Sequence, residues 1–116
     1  MLRVGLRENR KAYAPGDEIA GAANWEFEKR PKRVEVHLLW YTQGKGTENV
    51  QIVDGVRFDE PAAGDTRTFS FRAPTEPYSF SGKLVSLGWA VEMVTTPGDE
   101  VQRIDIVIPP RGTEVL

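Results

Sequence analysis

The chain has 116 residues, a formal net charge of −2, 40% hydrophobic residues and no cysteine. That length suits one domain with a self-sufficient core, spanning residues 1–116. The lack of cysteine excludes a disulfide framework, zinc ribbons, iron–sulfur ligation and thiol catalysis, and the near-balanced charge offers no global attraction to nucleic acid or to an acidic membrane.

In chain order, Met1-Leu2-Arg3-Val4-Gly5-Leu6-Arg7 has no long apolar run and is broken by arginine. It reads as a first strand, 2–7, rather than a signal peptide or membrane span, and a cytoplasmic location is expected. Ala14-Pro15-Gly16-Asp17 is a proline-then-glycine turn. It leads into a second strand, 18–27, with Ile19, Gly21, Ala23, Trp25 and Phe27 on one face. Glu18, Ala20, Ala22, Asn24 and Glu26 lie on the other. After the charged loop Glu28-Lys29-Arg30-Pro31-Lys32, a third strand over 33–42 places Val34, Val36, Leu38 and Trp40 opposite Glu35, His37, Leu39 and Tyr41. A period of two is the signature of a strand, because successive side chains leave opposite faces of a sheet.

Gly44-Lys45-Gly46 marks a hairpin tip, and strands over 49–58 and 66–73 follow, separated by the turn Pro61-Ala62-Ala63-Gly64-Asp65. The sixth strand, 83–94, lines up Val85, Leu87, Trp89, Val91 and Met93 against Ser86, Gly88, Ala90 and Glu92. Thr96-Pro97-Gly98-Asp99 turns into the seventh, 100–108, which Pro109-Pro110 ends. No window carries helical apolar spacing with capping signals. The fold class is all-β, an immunoglobulin-like two-sheet antiparallel sandwich of about seven strands. A small barrel is the alternative, and the wet outer faces of several strands favour the sandwich. Trp25, Trp40 and Trp89 are expected to meet in one dry interior between the sheets.

Three segments carry a family resemblance. They are Tyr13-Ala14-Pro15-Gly16-Asp17-Glu18-Ile19-Ala20-Gly21, then Leu39-Trp40-Tyr41-Thr42-Gln43-Gly44-Lys45-Gly46, then Pro74-Thr75-Glu76-Pro77-Tyr78-Ser79-Phe80-Ser81-Gly82-Lys83-Leu84, running on to Trp89. A proline-glycine-acidic turn feeding a strand, and a proline-rich loop ahead of a tryptophan-bearing strand, resemble an arrestin-like domain. Within that group the chain resembles the N-terminal half-domains of bacterial sporulation-control proteins. The resemblance implies an arrestin-like sandwich that serves as a protein-interaction adaptor or scaffold without enzymatic activity. Full arrestins pair two sandwiches, and receptor binding and phosphate-triggered activation are not carried over.

The candidate sites are few. His37, the single histidine, reads as a strand surface residue. With no second histidine and no cysteine, no transition-metal or hydrolase set assembles around it. Gly44-Lys45-Gly46-Thr47 lacks the spacing of a phosphate loop. Asp54, Asp59, Glu60 and Asp65 lack the spacing of a calcium loop and read as solvated turn residues. No catalytic residue, metal or cofactor is therefore assigned. Lys29, Arg30, Lys32 and Arg33 form the sharpest charge feature, an anion-binding candidate that Arg10 and Lys11 would enlarge if the loops converge. A sheet face carrying Leu39, Tyr41 and Ala90 is the candidate docking surface, for a homodimer or another protein of unknown identity. Tyr78 and Phe80 are candidate anchors in the Pro74–Gly82 loop. The alternative function is a small-molecule or carbohydrate-binding sandwich that uses exposed rings such as Tyr41 or Tyr78.

Overall fold

A computed structural model describes residues 1–44, 47–75, 79–81, 85–96 and 100–109, with the backbone alone at 47, 48, 80, 81 and 85. Its strands are β1 (Leu2–Leu6), β2 (Glu18–Glu26), β3 (Arg33–Gly44), β4 (Thr47–Phe58), β5 (Gly64–Arg72), β6 (Phe80–Ser81), β7 (Val85–Thr96) and β8 (Val101–Ile106). Among the described residues the single helical turn is a 3-10 turn at Arg7–Asn9. The boundaries expected from alternation hold to within a few residues. The short β6, which pairs Phe80 with Leu87 and Ser81 with Ser86, was not expected as a separate strand. The hairpin tip at Lys45-Gly46, the turn at Pro97-Gly98-Asp99 and much of the Pro74–Gly82 loop lie outside the described residues.

Two antiparallel sheets face each other. One has the order β1-β2-β5; the other runs β4-β3-β7-β6, with β8 also pairing β7. The register explains the faces. Val36 stands opposite Met93, Leu38 opposite Val91 and Trp40 opposite Trp89, so the even residues of β3 and the odd residues of β7 share one apolar face. Ile19 pairs with Phe71 and Gly21 with Phe69 on the facing sheet. Both apolar faces close on one core that holds Trp25, Trp89, Ile19, Val34, Val36, Leu38, Val91, Met93 and Ile108.

The turn before β2 is built as its sequence requires. Asp17 N–H donates to the Ala14 carbonyl at 3.0 Å, and Gly16 takes φ +90°. Proline at the second position and glycine at the third make this a type II turn. Asp17 Oδ2 accepts from the Ala14 N–H at 2.9 Å and pairs with Arg10. At the same end Tyr13 N–H bonds the Val107 carbonyl at 2.9 Å. Ala12 bridges Val107 in parallel, which ties the entry to β2 to the far end of the larger sheet.

Trp40 departs from expectation. Trp25 and Trp89 are buried, but Trp40 is only half-buried at the margin of the core. β3, β4 and β7 each have 12 residues, whereas β2 and β5 have 9. At about 3.3 Å per residue the larger sheet is longer by roughly 10 Å. On the inward face of β3, burial falls from complete at Val34, Val36 and Leu38 to half at Trp40 and Thr42, and Gln43 and Gly44 beyond them are exposed. Trp40 packs against the core from its margin.

Candidate interaction surface

The outer face of the larger sheet is built from β3, β4, β7 and β8. β3 contributes Glu35, His37, Leu39 and Tyr41, facing Val94, Glu92, Ala90 and Gly88 on β7. β8 adds Arg103 beside Glu92 and Asp105 beside Ala90. The placement of Leu39 and Ala90 on this face follows the expected register, but their expected exposure does not hold. Leu39 is 1% and Ala90 0% exposed. The chain's own longer side chains roof them. The Tyr41 ring lies over Gly88, so close that a β-carbon there would come within 2.6 Å of its Cζ. Its hydroxyl donates to Asp105 Oδ1 at 3.3 Å. The Arg103 guanidinium stacks on the ring 4.7 Å from its centroid and reaches Glu92 at 3.6 Å. A glycine at position 88 is therefore what admits the tyrosine, a link between strands that one strand's alternation cannot reveal.

His37 packs against Gly55, with its Nε2 3.3 Å from Glu35 Oε2. Its Nδ1 is buried and has no hydrogen-bond partner among the described residues. The strand reading of this residue stands, though it is more covered than a plain surface residue. Tyr78 lies outside the described residues, as does the side chain of Phe80, so neither joins this surface here.

The basic loop is exposed at Lys29, Arg30 and Lys32 and also at Arg33. Lys32 N–H holds the Thr96 carbonyl at 2.8 Å, and Arg33 lies 3.9 Å from Glu35. Convergence with Arg10 and Lys11 does not occur. Arg10 pairs with Asp17, just before β2, whereas the basic loop follows Glu26 at the other end of that nine-residue strand, about 30 Å away. The loop's actual neighbour is acidic. Trp25 Nε1 donates to the Ala62 carbonyl at 2.8 Å and Phe27 N–H to Ala63 at 2.8 Å, which brings the loop carrying Asp59 and Glu60 to the same end.

The remaining carboxylates are engaged locally. Asp54 Oδ1 accepts from the Gly55 N–H at 2.8 Å. Asp65 pairs with Arg67 at 2.9 Å; that guanidinium and the Thr66 N–H hold its carboxyl below the ordinary value. Among the described residues no three histidine, aspartate or glutamate side chains converge as metal ligands. A hollow of about 720 Å³ on the outer face of the smaller sheet is lined by Gly5, Ala20, Ala22, Thr68 and Ser70. Phe69 lies beneath it and is buried, so the hollow lacks the exposed ring on which a sugar stacks.

The feature that alternation did not single out is β4. Val50, Ile52 and Val53 are 50%, 50% and 42% exposed. Between Leu38 and Leu39 the pairing jumps from Asp54 to Ile52, so Val53 is an inserted bulge residue.

Comparison with known proteins yields structural likenesses. The chain superposes on the crystal structure of Spo0M, the sporulation control protein of Bacillus subtilis, with a TM-score of 0.69 and 18% identity. The match covers 95% of this chain and 49% of Spo0M, so the chain spans about half the length of that protein. No protein-family model matches the sequence, and no curated protein matches it. The fold is thus the arrestin-like sandwich implied by the sequence resemblance.

Proposed function

We propose that the protein is a non-enzymatic regulatory adaptor, acting in the cytoplasm, that docks a protein partner on its larger sheet. The observation that carries this reading is the arrestin-like sandwich, matched over 95% of the chain to a protein described as controlling sporulation. The chemistry of the surface supports it. Asp17, Asp54 and Asp65 are held by neighbouring N–H groups or guanidinium groups rather than aimed into a shared cleft. No helix is long and apolar enough to cross a membrane among the described residues.

Docking on such a surface costs little ordering entropy. Tyr41 is held by Gly88, Arg103 and Asp105 before any partner arrives, and a preorganised aromatic–arginine pair is a favoured interface anchor. Leu39 and Ala90 serve this surface from beneath, as its packed floor. The loop bearing Tyr78 and Phe80, and the basic residues Lys29, Arg30, Lys32 and Arg33, are proposed to supply peripheral specificity.

Quantitative affinity capture from the source cells tests the reading, with wild type compared against Tyr41→Glu and Arg103→Ala. A reproducible protein partner, reduced about tenfold or more by either change while the melting temperature holds, is expected. Capture that is indifferent to both substitutions would remove this face as the docking site.

A further inference from the structure

The free margin of the five-stranded sheet carries a more specific inference. β4 has β3 on one side and, among the described residues, no strand on the other. Every residue from Asn49 to Gly55 is exposed. An edge strand presents unpaired N–H and C=O groups to any chain that can lie beside it, and proteins usually blunt such edges with lysine, proline, short length, bulges or inward charges. Of these β4 has the bulge at Val53 and the inner-face Asp54. β4 has 12 residues and contains neither lysine nor proline. It also carries three exposed apolar side chains, those of Val50, Ile52 and Val53.

We propose that β4 is a self-association edge, through which two copies of this chain pair antiparallel about a two-fold axis and join their larger sheets into one. The proposal rests on reading the protein as an interaction module and names one partner, a second copy. The register of β4 suits a second copy rather than some other strand. A two-fold axis normal to the sheet keeps each side chain on its own face, so only positions facing the same way can be opposed. Ile52 opposes Leu39 and Gly55 opposes His37 on the outer face, while Gln51 opposes Trp40 and Asp54 opposes Leu38 on the inner face. The extra residue at Val53 therefore switches parity midway along the strand.

With the axis between Ile52 and Val53, faces match at every position of β4 that pairs with β3 other than Ile52 itself. Gln51 of one copy then opposes Asp54 of the other, an amide against a carboxylate. Val50 opposes Gly55. Position 48, a glutamate, opposes Arg57. Ile52 and Val53 of both copies meet at the centre, and no like charges are opposed. Moving the axis half a residue opposes the outer-face Ile52 to the inner-face Asp54. Moving it a whole residue places Ile52 on Gly55 and forfeits both polar pairs. The bulge and the charge order thus select one self-complementary register.

Light scattering on the full chain, from low micromolar to near-millimolar concentration, tests the proposal. The mass is expected to double as concentration rises. Ile52→Lys and Val53→Lys are expected to stay monomeric throughout with unchanged melting temperature, since both side chains already stand in water. Because the native chain has no cysteine, Gln51→Cys and Asp54→Cys report the register directly. Under mild oxidation, mixing the two single variants is expected to give a disulfide-linked dimer that neither forms alone. A wild type that remains monomeric at the highest concentration, lysine variants that dimerise like wild type, or cross-linking indifferent to mixing would overturn it. The adaptor function is tested separately, by whether partner capture falls with Tyr41→Glu.

Discussion

Asp17 shows how one side chain can lock a turn. The Ala14 N–H and then the Arg10 guanidinium hold its carboxyl below the ordinary value of 3.8. A carboxylate with a lowered pKa contributes stability that is fully present above the unfolded-state pKa and is lost as pH falls through the folded-state value. Asp17→Asn should therefore lower the melting temperature at neutral pH. The gap from wild type should narrow below about pH 4, in a series of thermal melts. A gap that stays constant down to the acid limit would show that the charge is not involved. Thr95 presents the opposite case. It is 1% exposed, and its Oγ1 has no hydrogen-bond partner among the described residues. A stranded buried hydroxyl costs more than an apolar group of the same shape, so Thr95→Val should raise stability by about 1 kcal/mol in urea unfolding.

Between elements, the decisive quantity is how much of each strand its neighbours cover. Trp89 is fully buried between the sheets, whereas the directly opposed Trp40 is half-buried at the margin of the core. Trp89→Ala should cost about 4 kcal/mol and Trp40→Ala roughly half that. Acrylamide should quench the fluorescence of Trp40 in a chain retaining only that indole, and leave Trp89 nearly untouched in the corresponding variant. Gly21 shows close approach between strands. A β-carbon there would sit 2.2 Å from the Gly5 carbonyl oxygen and 2.9 Å from Phe69 Cζ. A backbone atom cannot swing aside as a side chain can, so Gly21→Ala should force β1 away from β2 and cost about 3 kcal/mol in the same urea assay.

At the scale of the whole molecule, the contacts that define the sandwich are distant in sequence. β2 pairs with β5 and β3 with β7, and Ala12 bridges Val107. Loop-closure entropy must be overcome before such pairings return any free energy. Refolding followed by tryptophan fluorescence in stopped flow should therefore take milliseconds to seconds, as in other sandwiches. A microsecond phase carrying most of the amplitude would contradict a mechanism governed by this topology.

What the residues determine by themselves is local. Alternation from Ile19 to Trp25, from Val34 to Leu38 and from Leu87 to Met93 specifies strands and their buried faces, because side-chain direction in an extended chain depends only on parity. The Pro15-Gly16 pair specifies its turn, because proline presets the φ of the second position and glycine takes the positive φ of the third without strain. Tertiary structure decides what covers each face. Leu39 and Ala90 lie on the outward parity and are nonetheless buried, because Tyr41, seated on Gly88, and Arg103, arriving from β8, close over that part of the sheet. Trp40 has the inward parity and is nonetheless only half-buried at the margin of the core, although Trp89 directly opposite it is fully covered. The open margin at β4 is invisible in alternation for the same reason: whether a strand is central or at the edge depends on which neighbours arrive, and those are chosen by the packing of the whole chain.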